Sequence, residues 1–248
     1  MKEKSRLLEA DIKALTLTYL RDKNIIDENS IIMNELTVGN FSRRVDLAVC
    51  SQGKLLAFEI KSEADSLCRL AGQLDKYLEY FDKVVVVSDT KFISSLTESL
   101  PTKIGLWEVA NAKIKVKQKG QLQRKIDNSK LIDMMDLSDL RKLSSRLNLK
   151  MGKDKESIET SLELLSNKVL RQEVKATLSR KYLEVTKSFM DLTRSRKVES
   201  EDIKILSRYG KYREKIKIEQ SKSKAFWDNI EQHAADFKSF AEASAFSN

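Results

Sequence analysis

Arg43-Arg44-Val45-Asp46-Leu47-Ala48-Val49-Cys50, a turn at Ser51-Gln52-Gly53, then Lys54-Leu55-Leu56-Ala57-Phe58-Glu59-Ile60-Lys61: this stretch decides the fold. Two apolar, β-branched runs joined by a short glycine-containing loop read as an antiparallel hairpin. With Gln52-Gly53 as the loop, Ser51 pairs with Lys54. That register sets Asp46 across from Glu59 and Arg44 across from Lys61. Directly opposed residues have Cβ atoms about 4.5–5.5 Å apart, and like charges there are destabilising. Glu59 and Lys61, two apart on one strand, share a face. Val45, Leu47, Phe58 and Ile60 flank them.

Two facing carboxylates are a cost to the fold unless a cation neutralises them. Mg²⁺ or Mn²⁺ suits the arrangement, taking one or two carboxylates plus water, phosphate oxygens and a strand carbonyl such as that of Ile60. Such an ion stabilises charge on a scissile phosphate and lowers the pKa of a bound water. Lys61 would orient that water, help deprotonate it or offset transition-state charge. The bland alternative is a surface hairpin whose charged residues simply face solvent.

Outward from the hairpin, the spacing predicts a helix over about 5–21, with Leu8, Ile12, Leu15 and Tyr19 on one face. Strands are expected at Ile31–Val38, Arg44–Cys50 and Lys54–Lys61, and a helix over 66–81 burying Leu67, Leu70, Leu74, Leu78 and Phe81. Val84–Val87 read as a strand covered on both faces. A helix over 90–100 stops before Pro101, and strands at Gly105–Val109 and Lys113–Lys117 close the unit. The expected fold class is α/β with a mixed sheet and an αβββαβ core, followed by an all-α C-terminal region.

The hairpin residues resemble the PD-(D/E)XK nuclease superfamily, closest to small bacterial and phage members of the VRR and Holliday-junction-resolvase types. The resemblance covers about residues 5–110 and implies a restriction-endonuclease-like core. By it Asp46 fills the aspartate position, Glu59 the second acid and Lys61 the lysine; Val45 stands where the family name has proline. Gln73 and Tyr77 look like the Q-x-x-x-Y motif of RecB-type nucleases, and at i and i+4 they share one helix face. Many members draw a further acid from upstream. Glu9, in Glu-Ala-Asp-Ile, and Glu35, in Asn-Glu-Leu, both match such a position; Glu9 is equally an i,i+4 partner of Lys13. The resemblance implies a metal-dependent nuclease acting on DNA, although the fold also hosts members that do not cut.

Composition narrows the chemistry. Among 248 residues there are two cysteines, Cys50 and Cys68, and one histidine, His233, which excludes a Cys/His zinc site and a disulfide framework. Catalysis must run on carboxylates and lysines. A reducing cytoplasm is expected, and neither a signal peptide nor a membrane span is read.

The net charge is +9, about +2 from residues 1–120 and about +7 from 121–248. That balance favours a polyanion, DNA first, with RNA also compatible. The expected division is a nuclease-like domain over 1–120 and a basic helical domain over 121–248. In the second part, helices are expected at 129–136, 138–147, 156–165, 168–190, 200–218 and 222–243, with Ser129, Ser138 and Asn167 as N-caps. Residues 130–181 vaguely resemble a SAP-like module, which implies phosphate contacts through Lys150, Lys153 and Lys155; Arg43 and Arg44 would add others near the site. Arg208, Lys211, Arg213, Lys215 and Lys217 make a charged helix that either meets phosphate or is simply solvated. Trp227, Phe237 and Phe240 form an apolar stripe that either packs on the body or joins two copies as a homodimer.

Overall fold

The computed structural model describes residues 6–39, 42–149, 154–208, 210, 218–227 and 230. Six strands form one mixed sheet in sequential order: β1 (Ile31–Val38), β2 (Arg43–Ser51), β3 (Lys54–Lys61), β4 (Lys83–Asp89), β5 (Gly105–Ala110) and β6 (Lys113–Gln118). The β3/β4 and β4/β5 pairs are parallel, and the other neighbours are antiparallel. The parallel crossovers carry α2 (Leu70–Tyr80) and α3 (Ile93–Ser99), the latter entered through a 3₁₀ turn. Helix α1 (Glu9–Asp22) precedes the sheet, and α4 (Asn128–Asp133), α5 (Leu137–Arg146), α6 (Lys155–Glu163) and α7 (Asn167–Thr193) follow it. The expected α/β class, mixed sheet and helical C-terminal region are all present.

The β2–β3 hairpin turns at Gln52 (φ 49°) and Gly53 (φ 73°). Both central residues are left-handed, the conformation that matches the twist of the flanking strands. Ser51 pairs with Lys54 in the expected register. Gly120 (φ +68°) closes the far edge, where a Cβ would lie 2.4 Å from the Gly105 nitrogen, so no other residue fits without backbone movement.

Strand alternation builds two cores. Ala48, Cys50, Leu55, Ala57, Val84 and Val86 pack against α2 and helices α4–α7. On the other face Leu47, Val49, Phe58, Ile60, Val85, Val87 and Trp107 pack under α1. Val84 to Val87 are all 0–1% exposed, as a strand covered on both faces requires. The change of texture at residue 120 is a change of secondary structure within one compact unit, residues 1–207; a second unit spans 208–248. Asp82, fully buried, fastens the helices to the sheet: it accepts the Leu55 N–H at 2.8 Å and two Arg171 N–H groups at 2.9 and 3.1 Å. At the β1 edge, the Thr186 hydroxyl of α7 donates to the Ile32 carbonyl (3.1 Å) and accepts from the Ile32 N–H (3.0 Å).

Several expectations need correction. Helix α1 starts at Glu9, because Asp11 accepts the Leu8 N–H (2.9 Å) and fixes the first turn there. Its buried residues are Ile12, Lys13, Ala14, Thr16, Leu17 and Leu20, while Leu8 is exposed. Helix α2 starts at Leu70, since Asp65 ties residues 62–65 into a turn through the Ser62 N–H and hydroxyl. Asp136 and Ser166 supply the caps expected of Ser138 and Asn167, and α4 begins after Asp127 with no side-chain cap bond. The helix expected over 200–218 begins as a 3₁₀ segment, Ser200–Leu206, that ends in extended backbone at Ser207. In the second unit residues 218–227 are helical, and Phe226 and Trp227 are exposed and in edge-to-face contact at 5.6 Å. Lys150, Lys153, Lys211, Arg213, Lys215, Lys217, His233, Phe237 and Phe240 lie outside the described residues.

Candidate nuclease-type site

The β2–β3 ladder runs from Ser51↔Lys54 to Leu47↔Phe58 and stops one pair short of the expected Asp46–Glu59 partnership. Beyond that point the strands take different neighbours. Arg44 pairs with Thr37 of β1, not with Lys61, while Glu59, Ile60 and Lys61 pair with Val86, Val87 and Ser88 of β4. Where the ladder ends, the Ile60 N–H donates to Asp46 Oδ2 at 2.8 Å. The aspartate therefore caps an opened strand pair instead of standing in it. The same level of β1 is irregular: Glu35 adopts φ 57°, and the core-facing residues change from Ile31 and Met33 before it to Leu36 and Val38 after it.

On the α2 face, Glu59 is 1% exposed and accepts two hydrogen bonds. Lys61 Nζ donates to its Oε1 at 2.8 Å, and the Tyr77 hydroxyl donates to its Oε2 at 2.9 Å. Tyr77 also lies 2.7 Å from the Arg44 carbonyl, an acceptor contact that fixes the ring over the strand opening. Gln73 Oε1 accepts from Lys61 Nζ at 3.3 Å. The Q-x-x-x-Y pair thus touches both members of the Glu-x-Lys pair, one turn of helix reaching two alternate strand positions. Burial, followed by the Glu59 charge and hydrogen bond, holds the Tyr77 phenol above its usual pKa, so it serves as a neutral donor.

Asp46 carries the strain of the site. Its carboxyl is pushed up to about 7, first by burial and then by the Glu59 charge; the Ile60 N–H pulls the other way, Glu9 raises it and Lys13 lowers it. Of the two upstream acids, Glu9 is the one whose charge acts on Asp46, while also pairing with Lys13 at 2.6 Å. Glu35 falls level with Asp46 in the β1–β2 ladder but pairs with Arg44 at 3.5 Å and is half exposed. Its kinked backbone accounts for the outward aim.

Lys13 and Asn34 were not singled out by the sequence reading. Lys13, 3% exposed, donates to Asn34 Oδ1 at 2.9 Å, tying α1 to β1 beside the carboxylates. Its signal was a lysine next to Ile12, one turn after Glu9. Three acids (Glu9, Asp46, Glu59) thus meet two ammonium groups, each already paired to an acid other than Asp46. The residual negative charge and the buried Asp46 suit a hard divalent cation. Among the described residues no three of His, Cys, Asp and Glu close into a ready cage, since Lys13 and Lys61 stand between the acids. Arg43 and Arg44 are exposed on the same strand, and Lys155 opens α6 paired with Glu159 at 3.3 Å.

Against known proteins, the family profile for bacteriophage P4 protein cII matches residues 2–207. Protein cII of Enterobacteria phage P4 is similar at 29% identity over 209 residues, 82% of this chain and 78% of that one. A solved structure of a protein of unknown function from Silicibacter pomeroyi aligns with TM-score 0.37 and 18% identity, covering 60% of this chain and 93% of its own. Among the described residues, no helix is long and apolar enough to cross a membrane.

Proposed function

Starting from a chain that belongs to the bacteriophage P4 protein cII family, we propose that it is a metal-dependent nuclease of the PD-(D/E)XK type, hydrolysing DNA phosphodiester bonds. One observation carries the reading: Asp46 caps the opened strand pair beside Glu59, Lys61 bridges Glu59 and Gln73, and Tyr77 holds Glu59 from behind. Asp46, Glu59 and the Ile60 carbonyl would hold Mg²⁺ or Mn²⁺. When bound, the ion would neutralise phosphate charge and acidify a water. Lys61 would turn from its Glu59 contact to orient the attacking water, and Gln73 would keep its ammonium in reach. Glu9 would supply the third acid, with Lys13 and Asn34 fixing its helix. Arg43, Arg44 and the basic residues Lys150, Lys153 and Lys155 would contact the backbone phosphates, in the last three through the SAP-like stretch, giving affinity that falls with salt. With its cysteines unpaired, the enzyme would work in a reducing cytoplasm.

A second reading is a nuclease-fold protein that binds DNA or regulates without turnover. It is favoured by the engagement of both Glu59 oxygens by Lys61 and Tyr77. Cleavage of linear, nicked and single-stranded DNA with Mg²⁺ or Mn²⁺ separates the two. Cutting by the wild type that disappears in Asp46→Ala and in Lys61→Ala supports the enzyme. Cutting retained in both variants defeats the assignment, and salt-sensitive binding without any cutting favours the second reading.

A further inference from the structure

At the hairpin end of the sheet, away from Asp46, a cavity of about 270 Å³ opens on the α1 face. Its floor is Phe58, Val85 and Trp107, three residues of one core. The end of α1 and the loop after it form one wall, with Leu20 and Ile25. Phe58 and Glu59 are consecutive on β3, so the cavity lies across the sheet from the Glu59–Tyr77 contact.

Two lysines line this apolar space. Leu56 and Lys83 are partners in the parallel β3/β4 ladder, and Lys54 lies two residues before Leu56 on the same strand, so the two ammonium stems are diagonal neighbours. Among the described residues the lining contains no carboxylate. The nearest acid in sequence, Asp82, is spent on Leu55 and Arg171. Lys83 is half-buried, and that burial lowers its pKa, which marks an ammonium short of counter-charge. Two adjacent like charges over an aromatic floor repel each other until an anion sits between them. The volume falls just below the ~300 Å³ at which ligand pockets commonly begin, which selects a small body.

We infer that this cavity is a binding site for a small amphiphile, an apolar body carrying one anionic headgroup, with the body on Phe58 and Trp107 and the headgroup between Lys54 and Lys83. The Trp107 indole is the reporter. The chain has two tryptophans, so a Trp227→Phe background leaves Trp107 alone. Octanoate, octanol and octylamine share one body and differ in the headgroup. Titrated into the full-length chain, octanoate is expected to change Trp107 emission saturably, octanol about tenfold more weakly, and octylamine not at all. Lys83→Gln is expected to weaken octanoate about tenfold and leave octanol unchanged, while Lys83→Arg keeps octanoate binding. Equal binding of octanol and octanoate, binding of octylamine, no saturable change with any of the three, or octanoate affinity unaltered by Lys83→Gln would each overturn the inference. The wild-type headgroup series reads the same question without relying on the variants' folding.

Discussion

Replacing Asp46 by Asn should stabilise the metal-free protein in alkaline solution and do little in acid. The amide oxygen can still accept the Ile60 N–H that now meets Oδ2 at 2.8 Å, so the opened strand pair keeps its cap. What is lost is a negative charge held beside Glu59. A carboxyl moved from 3.8 to about 7 is raised by roughly 3 units, and at about 1.4 kcal/mol per unit that is a ceiling near 4 kcal/mol. The sign follows from proton counts. Between pH 4 and 7 the folded state holds a proton that the unfolded state has released, so stability falls with rising pH across that window. The cost is absent below the unfolded value and complete above 7. Urea unfolding of wild type and Asp46→Asn with chelator present, from pH 4 to 8, should show the variant's advantage growing by about 4 kcal/mol and then levelling. An advantage independent of pH, or a variant less stable at pH 8, would refute the reasoning.

Other outcomes follow from the same geometry. Mg²⁺ at 100 times its dissociation constant should stabilise the wild type by about 2.7 kcal/mol in thermal unfolding and leave Asp46→Asn unmoved. Lys61→Met should reduce metal-dependent DNA cleavage by ~100-fold or more, the lower range for a group serving proton transfer, read as turnover at saturating DNA. Tyr77→Phe strips a donor from Glu59 and a contact from the Arg44 carbonyl, and should cost about 1–3 kcal/mol in urea unfolding. Arg171→Met leaves the fully buried Asp82 without its cation and should cost about 3–5 kcal/mol by the same measurement.

The hairpin was legible because two signals agreed. Gln52-Gly53 is a two-residue turn, and the alternation of Leu47, Val49 and Phe58 with Ala48, Cys50 and Ala57 leaves one register that serves both cores. The Gln73 and Tyr77 positions followed from helical spacing alone. The parting of β2 from β3 at Asp46 was not legible, because it depends on Lys61 finding Ser88 and Arg44 finding Thr37, partners far along the chain or across another turn. Between Glu9 and Glu35 the decision rests on one left-handed backbone angle at a non-glycine residue, which carries no sequence signature. Lys13 went unremarked because a buried lysine looks, on paper, like a solvated one. Helix starts shifted by one to four residues wherever an Asp or Ser cap stood before the first apolar residue.

The Thr186 hydroxyl, seated on both backbone groups of Ile32, bears on how this protein could meet another copy of itself. An outer strand normally offers a template for an incoming one. Here the first strand has that offer withdrawn by a helix from the far end of the unit. The opposite border presents Lys113, Lys115 and Lys117 at alternate positions, all exposed, which repel an identical neighbour. Neither border invites continuation of the sheet, so self-association must use side-chain faces and leave the six-strand layer finite.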